Sequence, residues 1–358
     1  MDDIEKLGFD KWFQDKVETA KSNEFQIARV ITVNKNSFVV SNGDNDMYAE
    51  LTGKFLFNSD LSTDFPTIGD WVYTQIFDNN SLAIIHDILP RKSLLKRKTS
   101  GKNIENQLIA ANIDTAIIIQ SLDSNFNLRR LERYLVMIYE AKITPIIFLS
   151  KSDLLSNEEI EKKRNDICKI APNIIIEAFS NNNKTDIEKI KTHLISKQTY
   201  CLLGSSGVGK TTLLNNLINK ELFKTQPIRE KDGRGKHTTT RRDLIVIENG
   251  SIIIDNPGMR ELGIISIASG LDDAFNEIAG LSEQCRYKDC THTVEKGCAI
   301  LKAVEKDQIS KERYDNYIKL YKESVFNEMS YYERRQKDKK FGKFMHTYKK
   351  NDKRKNNT

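Results

Sequence analysis

One eight-residue segment, Gly204 to Thr211, constrains the fold of this chain more than any other. It reads GSSGVGKT and satisfies the pattern G-x-x-x-x-G-K-[ST], which binds the phosphates of a nucleoside triphosphate. Glycines allow the backbone to curl so that several N–H groups point at one anion, and the positive end of a following helix adds to the attraction. An apolar run at 200–203 precedes the segment and a helical stretch at 212–218 follows it, as the motif requires. A turn that is merely rich in glycine is the alternative, and it leaves this context unexplained.

The roles of the side chains in this loop follow from the chemistry of a bound triphosphate. Lys210 is expected to neutralise the β and γ oxygens, and the Thr211 hydroxyl is expected to ligate Mg²⁺. Contacts to the nucleotide are predicted for the whole run of Gly204, Ser205, Ser206, Gly207, Val208, Gly209, Lys210, Thr211 and Thr212.

The region beyond Asn112 alternates between strand-like and helix-like patterns. Its apolar runs lie at 116–119, 145–149, 174–176 and 201–203, with segments of helical periodicity between them. Strands that alternate with helices form a parallel sheet flanked by helices. We therefore predict a central α/β domain with the phosphate loop at the carboxyl end of one of its strands.

A second segment that contacts the phosphates is predicted at the end of the apolar strand 252–254. There Asp255 is followed, three residues on, by Gly258. A carboxylate at a strand end can hold Mg²⁺ through water, and the Gly258 amide can contact a γ-phosphate. The polar segment 233–240 lies between the phosphate loop and this element, and its Thr239 and Thr240 are candidates for a further hydroxyl ligand of Mg²⁺.

The base is predicted to be read by a different loop, Ser150-Lys151-Ser152-Asp153. It follows the apolar run 145–149 and resembles the N-K-x-D element with which GTPases recognise guanine. The Asp153 carboxylate can accept hydrogen bonds from two guanine N–H groups, which adenine does not offer, while the stem of Lys151 covers the base. Ser150 stands where that element has Asn, and a hydroxyl makes fewer hydrogen bonds than an amide. An ordinary strand-end loop is the alternative interpretation.

Ser180 is a candidate for a second guanine contact, because it follows the next predicted strand, although its neighbour Asn181 replaces the usual Ala. The base-reading loop precedes the phosphate loop, whereas most GTPases have it afterwards. Both loops follow parallel strands, so a circular permutation can leave the pocket unchanged. The two loops together predict GTP with Mg²⁺ as the ligand. Their order along the chain is reversed relative to most GTPases.

A compact group of cysteines and a histidine predicts a metal site. Cys285, Cys290, His292 and Cys298 supply three thiolates and one imidazole within 14 residues. Such ligands suit tetrahedral Zn²⁺ in a closed structural site, with one ion per chain. Unrelated cysteines with an incidental histidine are one alternative, and iron–sulfur ligation is another. Full coordination leaves no open position, so this metal is expected to stabilise a small helical unit without performing chemistry.

Composition and charge restrict the class of protein further. Of the 358 residues, 39% are hydrophobic and 30% charged, as in a globular protein of several domains. The sequence has no secretory signal, no apolar run of about 18 residues and no disulfide-like cysteine spacing, so we expect a cytoplasmic protein that does not bind membranes. Between Arg334 and Thr358, eleven Lys or Arg stand against two Asp, while the whole chain carries a formal net charge of +6. This basic tail is either a solvated terminus or a binding site for an anion such as RNA.

The remaining regions are predicted from their periodicity. Residues 1–22 are expected to form one short helix, and 91–98 to form a charged linker. Between 24 and 89, short alternating runs separated by Gly and Pro favour a small antiparallel barrel or sandwich. Beyond 270 the chain is expected to be helical around the cysteines.

Several stretches together resemble the circularly permuted RsgA GTPase family, and the likeness covers nearly the whole chain. They are 69–72 with 89–93, 204–212, 233–240 and 285–298. The resemblance implies a helical extension at 1–23, an OB barrel at 24–96, a circularly permuted GTPase domain at 100–268, and a zinc-binding helical domain with the basic tail at 269–358. The implied activity is GTP hydrolysis by a protein that binds the small ribosomal subunit and its 16S rRNA during late maturation of that subunit. A monomer is the default expectation.

The residues expected to carry catalysis leave alternatives open. Many GTPases orient the attacking water with a Gln directly after the D-x-x-G glycine, but Met259 occupies that position here. His237 is our candidate for positioning water, and it is equally a candidate for contacting RNA. Two other functions remain open: a translation or transport GTPase that acts on protein partners, and an RNA-binding module with a vestigial nucleotide pocket.

Overall fold

The computed structural model describes residues 2–34, 37–59, 61–98, 106–219, 242–255, 268–329 and 333. These residues form a β-barrel, a central sheet covered by helices, and a C-terminal group of helices. No helix in these ranges combines the length and the hydrophobicity that crossing a bilayer requires.

Three short helices, α1 (Asp2–Glu5), α2 (Lys11–Gln14) and α3 (Thr19–Ser22), replace the single N-terminal helix that the sequence predicted. That prediction was wrong because Gly8 interrupts the helix with φ +85°, a conformation that favours glycine. Asp10 then caps α2 by accepting hydrogen bonds from the backbone N–H groups of Trp12 and Phe13. The Phe13 ring lies 5.9 Å from the ring of Trp71 and anchors this segment to the barrel.

Five strands form the closed barrel that follows: β1 (Gln26–Val33), β2 (Phe38–Ser41), β3 (Asp46–Leu51), β4 (Trp71–Phe77) and β5 (Leu82–Ile88), with helix α4 (Gly53–Asn58) and 3-10 turns at Ser62–Asp64 and Asp78–Asn80. Their order is β1-β2-β3-β5-β4, and β4 pairs back onto β1. Side chains such as Val30, Val40 and Ala49 are fully buried inside. The predicted barrel is therefore confirmed, although β3 and β5 pair in parallel and the other pairs are antiparallel.

A hairpin of β6 (Leu94–Lys98) and β7 (Asn106–Ala111) connects the barrel to the central sheet. The prediction of a charged linker at 91–98 was wrong. Leu95 is buried in the same apolar cluster as Ile68 and Ile109, so a single inward-facing leucine holds a strand whose other residues are mostly basic. The charge of the segment concealed its alternation.

The central domain is a six-stranded sheet with two helices on each face. Its strands are β8 (Thr115–Ser121), β9 (Thr144–Ser150), β10 (Ile175–Phe179), β11 (Thr199–Leu203), β12 (Arg242–Val246) and β13 (Ile252–Asp255), and its helices are α5 (Leu128–Glu140), α6 (Asn157–Ile170), α7 (Lys184–Thr192) and α8 (Lys210–Ile218), with a 3-10 turn at Ser152–Leu154. The order is β10-β9-β8-β11-β13-β12, in which all strands but β12 run parallel. Apolar residues of α5 and α6 pack on one face, and those of α7 and α8 on the other. The predicted α/β domain is confirmed, and β12 also pairs with β1 of the barrel.

Four helices form the C-terminal group: α9 (Ala268–Ala274), α10 (Asn276–Ser282), α11 (Ala299–Glu305) and α12 (Lys311–Glu328). Helix α9 crosses α5 closely, because a Cβ on Gly270 would lie 2.3 Å from the Val136 carbonyl oxygen. Buried residues such as Phe275 and Leu320 belong to the same apolar cluster as α5 and the sheet face beneath it. The C-terminal helices therefore share a core with the central domain.

Candidate nucleotide site and metal centre

The predicted phosphate loop connects β11 to α8 at the carboxyl end of the central sheet. Gly204 has φ +153°, and a Cβ there would lie 2.5 Å from the Ile119 carbonyl oxygen, so a larger residue does not fit. Gly209 has φ +93° and immediately precedes α8. The Lys210 Nζ donates to the carbonyl oxygens of Gly204 and Ser205, at 2.7 Å from each. The loop thus brings a lysine and a helix N-terminus to one curved stretch of backbone, as phosphate binding requires.

The predicted base-reading loop follows β9 and touches the phosphate loop directly. Ser150 is fully buried, and its hydroxyl donates to the Val208 carbonyl oxygen at 2.6 Å, across 58 positions of sequence. Lys151 adopts φ +62°, and its Nζ lies 2.6 Å from Asp123 Oδ2. Asp153 lies in the 3-10 turn that comes next. The two loops therefore form one continuous surface at the edge of the sheet.

A cleft of about 470 Å³ opens beside the base-reading loop. Ser152, Asp153 and Ser180 line it, together with side chains of α6 and α7. Ser180 is buried, and its backbone N–H donates to Asp186 Oδ2 at 2.8 Å. The structure thus brings Ser180 to the cleft that Asp153 lines.

Asp255 ends β13 and lies directly opposite Asp243 of β12. Burial raises the pKa of Asp255; Lys210 opposes this effect and Asp243 adds to it. A cation stabilises a carboxylate whose charged form burial disfavours. Thr211, in the first turn of α8, supplies a hydroxyl, and hydroxyl and carboxylate oxygens are the ligands that Mg²⁺ prefers. The donor set therefore fits Mg²⁺.

The four predicted zinc ligands form a cluster between α10 and α11. The ligand atoms of Cys285, Cys290, His292 and Cys298 all lie within 4.8 Å of one another. His292 Nδ1 is 3.6 Å from the sulfur atoms of Cys285 and Cys298, which are 3.9 Å apart. Ligands bonded to Zn²⁺ at tetrahedral corners lie roughly 3.5–3.8 Å apart. The cluster therefore has the chemistry and the size to hold zinc.

Glu295 orders the loop that carries the zinc-ligand histidine. Its carboxylate accepts hydrogen bonds from the backbone N–H groups of Thr291 (2.9 Å), Thr293 (2.9 Å) and Val294 (3.0 Å). The Tyr314 hydroxyl of α12 donates to the carbonyl oxygen of His292 at 2.7 Å. The cluster is therefore tied to α12 as well as to the two helices beside it.

Sequence reasoning missed two residues, Asp123 and Asn125, in the loop between β8 and α5. Asn125 Nδ2 donates to Ser205 Oγ at 3.0 Å, and Asp123 pairs with Lys151. Burial would raise the pKa of Asp123, but its bonds with Lys151, Ser121 and the Asn125 amide hold the pKa below its usual value. The sequence did carry a signal: this loop follows the strand between β9 and β11, and neighbouring parallel strands end at one edge.

Four of the predicted site residues, His237, Thr239, Thr240 and Gly258, lie outside the described residues, as does the basic tail from Arg334 onward. The other predicted nucleotide residues meet around the carboxyl ends of β9, β10, β11 and β13, and the four zinc ligands meet in a separate cluster.

Comparisons with known proteins agree with this arrangement. The family model for the RsgA GTPase matches residues 88–265. A small ribosomal subunit biogenesis GTPase RsgA 2 from Vibrio parahaemolyticus is 35% identical over 340 residues, which cover 95% of this chain and 91% of the relative. A small ribosomal subunit biogenesis GTPase RsgA 1 from Bacteroides thetaiotaomicron is 36% identical over 343 residues, which cover 95% of both chains.

Two solved structures share the fold. YjeQ from Thermotoga maritima superposes with a TM-score of 0.62 at 24% identity, covering 84% of this chain and 98% of that one. YloQ, described as a circularly permuted GTPase, gives a TM-score of 0.60 at 21% identity, covering 88% of this chain and 100% of that one. With the sequence relatives and the permuted order of loops around one sheet edge, these findings establish that the chain is a circularly permuted GTPase of the RsgA family.

Proposed function

We propose that this GTPase binds the small ribosomal subunit, contacts its 16S rRNA, and hydrolyses GTP to GDP and phosphate during late maturation of the subunit. The main observation in support is the bond between Ser150 Oγ and the Val208 carbonyl, which joins a base-reading loop to a phosphate loop. The names of its relatives in Vibrio and Bacteroides supply the substrate and the particle.

The base is held, in this proposal, by the loop 150–153 and by Ser180. The Asp153 carboxylate accepts hydrogen bonds from the two N–H groups on one edge of guanine, and Lys151 covers a face of the ring. The shared cleft of Asp153 and Ser180 supports this assignment. Adenine offers Asp153 an acceptor instead of these donors, so GTP is preferred over ATP.

The phosphates occupy the loop 204–212, where Lys210 neutralises the β and γ oxygens. Thr211 and Asp255 hold Mg²⁺, together with Thr239 or Thr240, and the Gly258 amide contacts the γ-phosphate. The metal supplies positive charge at the phosphate oxygens.

Hydrolysis needs a water molecule to attack the γ-phosphorus as the bond to the β–γ bridging oxygen breaks, which releases GDP and phosphate. Met259 has no group that can orient this water. The imidazole of His237, in the polar segment 233–240, takes that role in this proposal. We expect His237→Ala to lower subunit-stimulated kcat by about 100-fold, with little change in GDP affinity. Full stimulated turnover by this variant, with salt-dependent subunit binding weakened instead, would assign His237 to RNA.

The barrel and the basic tail contact rRNA, and the zinc cluster holds the C-terminal helices without taking part in chemistry. OB barrels bind oligonucleotides, and lysine-rich segments neutralise phosphates. We further propose a monomeric, cytoplasmic protein, with deletion of 334–358 expected to weaken subunit binding and flatten its dependence on salt.

The deciding experiment measures GTP and ATP hydrolysis with and without purified small subunits, for the intact chain and for Lys210→Ala. We expect a low rate with GTP alone, strong stimulation by subunits, little turnover of ATP, and loss of activity in the variant. If the chain hydrolyses GTP but neither binds small subunits nor is stimulated by them, a translation or transport GTPase would be favoured. Subunit binding without turnover would favour a vestigial pocket.

A further inference from the structure

The hydroxyl of Ser150 supports the nucleotide pocket less extensively than an asparagine at that position would. An asparagine amide offers two donors and an acceptor on separate atoms, whereas a serine offers one donor and its acceptor lone pairs on a single, shorter-reaching oxygen. That donor is directed at the Val208 carbonyl oxygen, at 2.6 Å, with the Gln120 carbonyl more distant at 3.4 Å. A pocket with serine at this position therefore needs further contacts to hold loops 150–153 and 204–212 in place.

The loop between β8 and α5 supplies contacts to the phosphate loop. It begins beside Ser150, because Ser121 pairs with Ser150 in the sheet and the Leu122 N–H donates to the Ser150 carbonyl at 2.9 Å. Asn125 Nδ2 then donates to Ser205 Oγ at 3.0 Å and approaches the Ser206 carbonyl oxygen at 3.4 Å. These contacts bridge 80 and 81 positions of sequence.

The same loop contacts the base-reading side through Asp123. Its Oδ2 pairs with Lys151 Nζ at 2.6 Å, while its Oδ1 accepts from Ser121 Oγ at 2.7 Å and from the Asn125 N–H at 2.9 Å. One carboxylate therefore orients the lysine and the asparagine together.

Arg130 of α5 fixes the asparagine from the other side. Its Nη2 donates to Asn125 Oδ1 at 2.8 Å and also to the Asn125 carbonyl oxygen. With its oxygen held by Arg130, the amide of Asn125 directs its N–H donors toward the phosphate loop. The loop is thus ordered by contacts with α5, with Lys151 and with the phosphate loop.

We propose that Asp123 and Asn125 are positioning residues that brace the nucleotide pocket in place of the asparagine that Ser150 replaces. The inference rests on the proposed function of loops 150–153 and 204–212. Asn125 holds the phosphate loop, Asp123 holds Lys151 over the base, and Ser150 links the two loops at their centre. Neither Asp123 nor Asn125 takes part in the reaction itself.

The test is a thermodynamic cycle measured by titration of a fluorescent GDP analogue. Asn125→Ala and Asp123→Asn are each made in the natural chain and in a Ser150→Asn chain. Asn125→Ala removes two hydrogen bonds to the phosphate loop and one from Arg130, and Asp123→Asn weakens the pair with Lys151. We therefore expect about five- to tenfold weaker GDP binding in the natural chain. In the Ser150→Asn chain the loss is expected to shrink to about twofold, because the added amide replaces the brace. Steady-state turnover with subunits should show the same changes in KM and little change in kcat.

Asp315→Asn is the matched control, since Asp315 also lies 2.6 Å from a lysine Nζ but on the exposed surface of α12. It should leave GDP binding unchanged. Equal losses in both backgrounds, or no loss in either, would overturn the brace. Failure of the natural chain to bind GDP would instead contradict the proposed function, so the two failures are distinguishable.

Discussion

The central sheet is joined to its two neighbours by different kinds of contact. On the barrel side, β1 pairs with β12 through the backbone, and the Thr32 hydroxyl donates to Asp243 Oδ1 at 2.8 Å. The buried guanidinium of Arg29 donates to four neutral oxygens in the described part of the chain, among them the Gly69 carbonyl at 3.2 Å and Thr199 Oγ1 at 2.9 Å. Backbone pairing and one buried cation that donates to neutral oxygens therefore define this junction.

The junction with the C-terminal helices combines the shared apolar core with paired charges. Glu132 of α5 is fully buried and accepts hydrogen bonds from Arg313 (2.8 Å), Arg129 (2.6 Å) and Asn316 (2.5 Å). Arg313 also pairs with Glu277 of α10. Side chains of α5, α10 and α12 thus meet in one ionic cluster.

The pKa values of the two arginines show what distinguishes the junctions. Burial lowers the pKa of Arg29 to about 10. Burial also lowers the pKa of Arg313, but its bonds to Glu277 and Glu132 outweigh this effect and leave the pKa raised. The barrel is therefore joined to the sheet by backbone pairing and by the bonds of Arg29. The C-terminal helices are held by the apolar core that they share with α5 and, in addition, by a cluster of paired charges. We infer that the barrel and the sheet unfold together, and that the C-terminal helices can loosen locally around the zinc ligands and the charged cluster while the apolar core shared with α5 stays intact.

Removing zinc should have the largest effect on stability, and this effect should be confined to the C-terminal helices. Structural zinc contributes about 10 kcal/mol to the folding of small zinc-binding peptides, so a chelator should loosen the cluster and α11. Hydrogen exchange of residues 285–305 should accelerate strongly. The two tryptophans of the chain, Trp12 and Trp71, lie in the barrel region, so the urea midpoint of their fluorescence should hardly move. A comparable fall in that midpoint would show that all three parts unfold together.

Arg29→Met should have the next largest effect on stability, at the junction of the barrel with the central sheet. It removes the donor to the Leu7 and Asn112 carbonyl oxygens, while the Gly69 carbonyl keeps the amide of Asn112. The expected loss in free energy of unfolding is about 3–5 kcal/mol. Urea unfolding followed by tryptophan fluorescence measures it, and Arg29→Lys should lose less because an ammonium still donates to some of these oxygens. GDP should raise the midpoint of the same transition, since ligand binding stabilises every part that unfolds with the pocket. If GDP does not change this midpoint, the barrel and the central sheet do not unfold in one transition.

Glu132→Gln should cost about 1–3 kcal/mol, because it removes one charge from a buried cluster and leaves Arg313 with Glu277. The loss should appear as faster hydrogen exchange in α12 with an unchanged tryptophan midpoint. Glu323→Gln is the matched control: it breaks the partly exposed pair with Arg133, and we expect at most about 0.5 kcal/mol. Equal effects from the two variants would mean that burial does not strengthen this junction.

The sequence predicted those parts of the molecule whose chemistry is local. The phosphate loop with its flanking strand and helix, and the zinc ligands within 14 residues, are complete in short stretches of chain. The junctions were not predictable in this way, because Arg29 and Thr199 are 170 positions apart, and Glu132 and Arg313 are 181 apart. A charged residue in a strand or helix pattern indicates solvent, and only the fold reveals its buried partner.

The pocket itself falls between these cases. Residues 150–153 and 204–212 were identified by their motifs, but the brace at Asp123 and Asn125 has no motif and depends on which strands are neighbours. Strand β6 was missed because three basic residues follow its two leucines, and of those leucines only Leu95 enters the apolar cluster.

The most direct test of the central claim, that loops 150–153 and 204–212 form one guanine nucleotide pocket, is a competition titration of the natural chain and Asp153→Asn with GDP, ADP and xanthosine diphosphate. Xanthine carries a carbonyl where guanine carries an amino group, so it needs a donor that asparagine supplies and aspartate does not. We predict that the natural chain prefers GDP by at least about 100-fold and that Asp153→Asn prefers xanthosine diphosphate. Equal binding of ADP and GDP by the natural chain, or an unchanged preference in Asp153→Asn, would contradict the account.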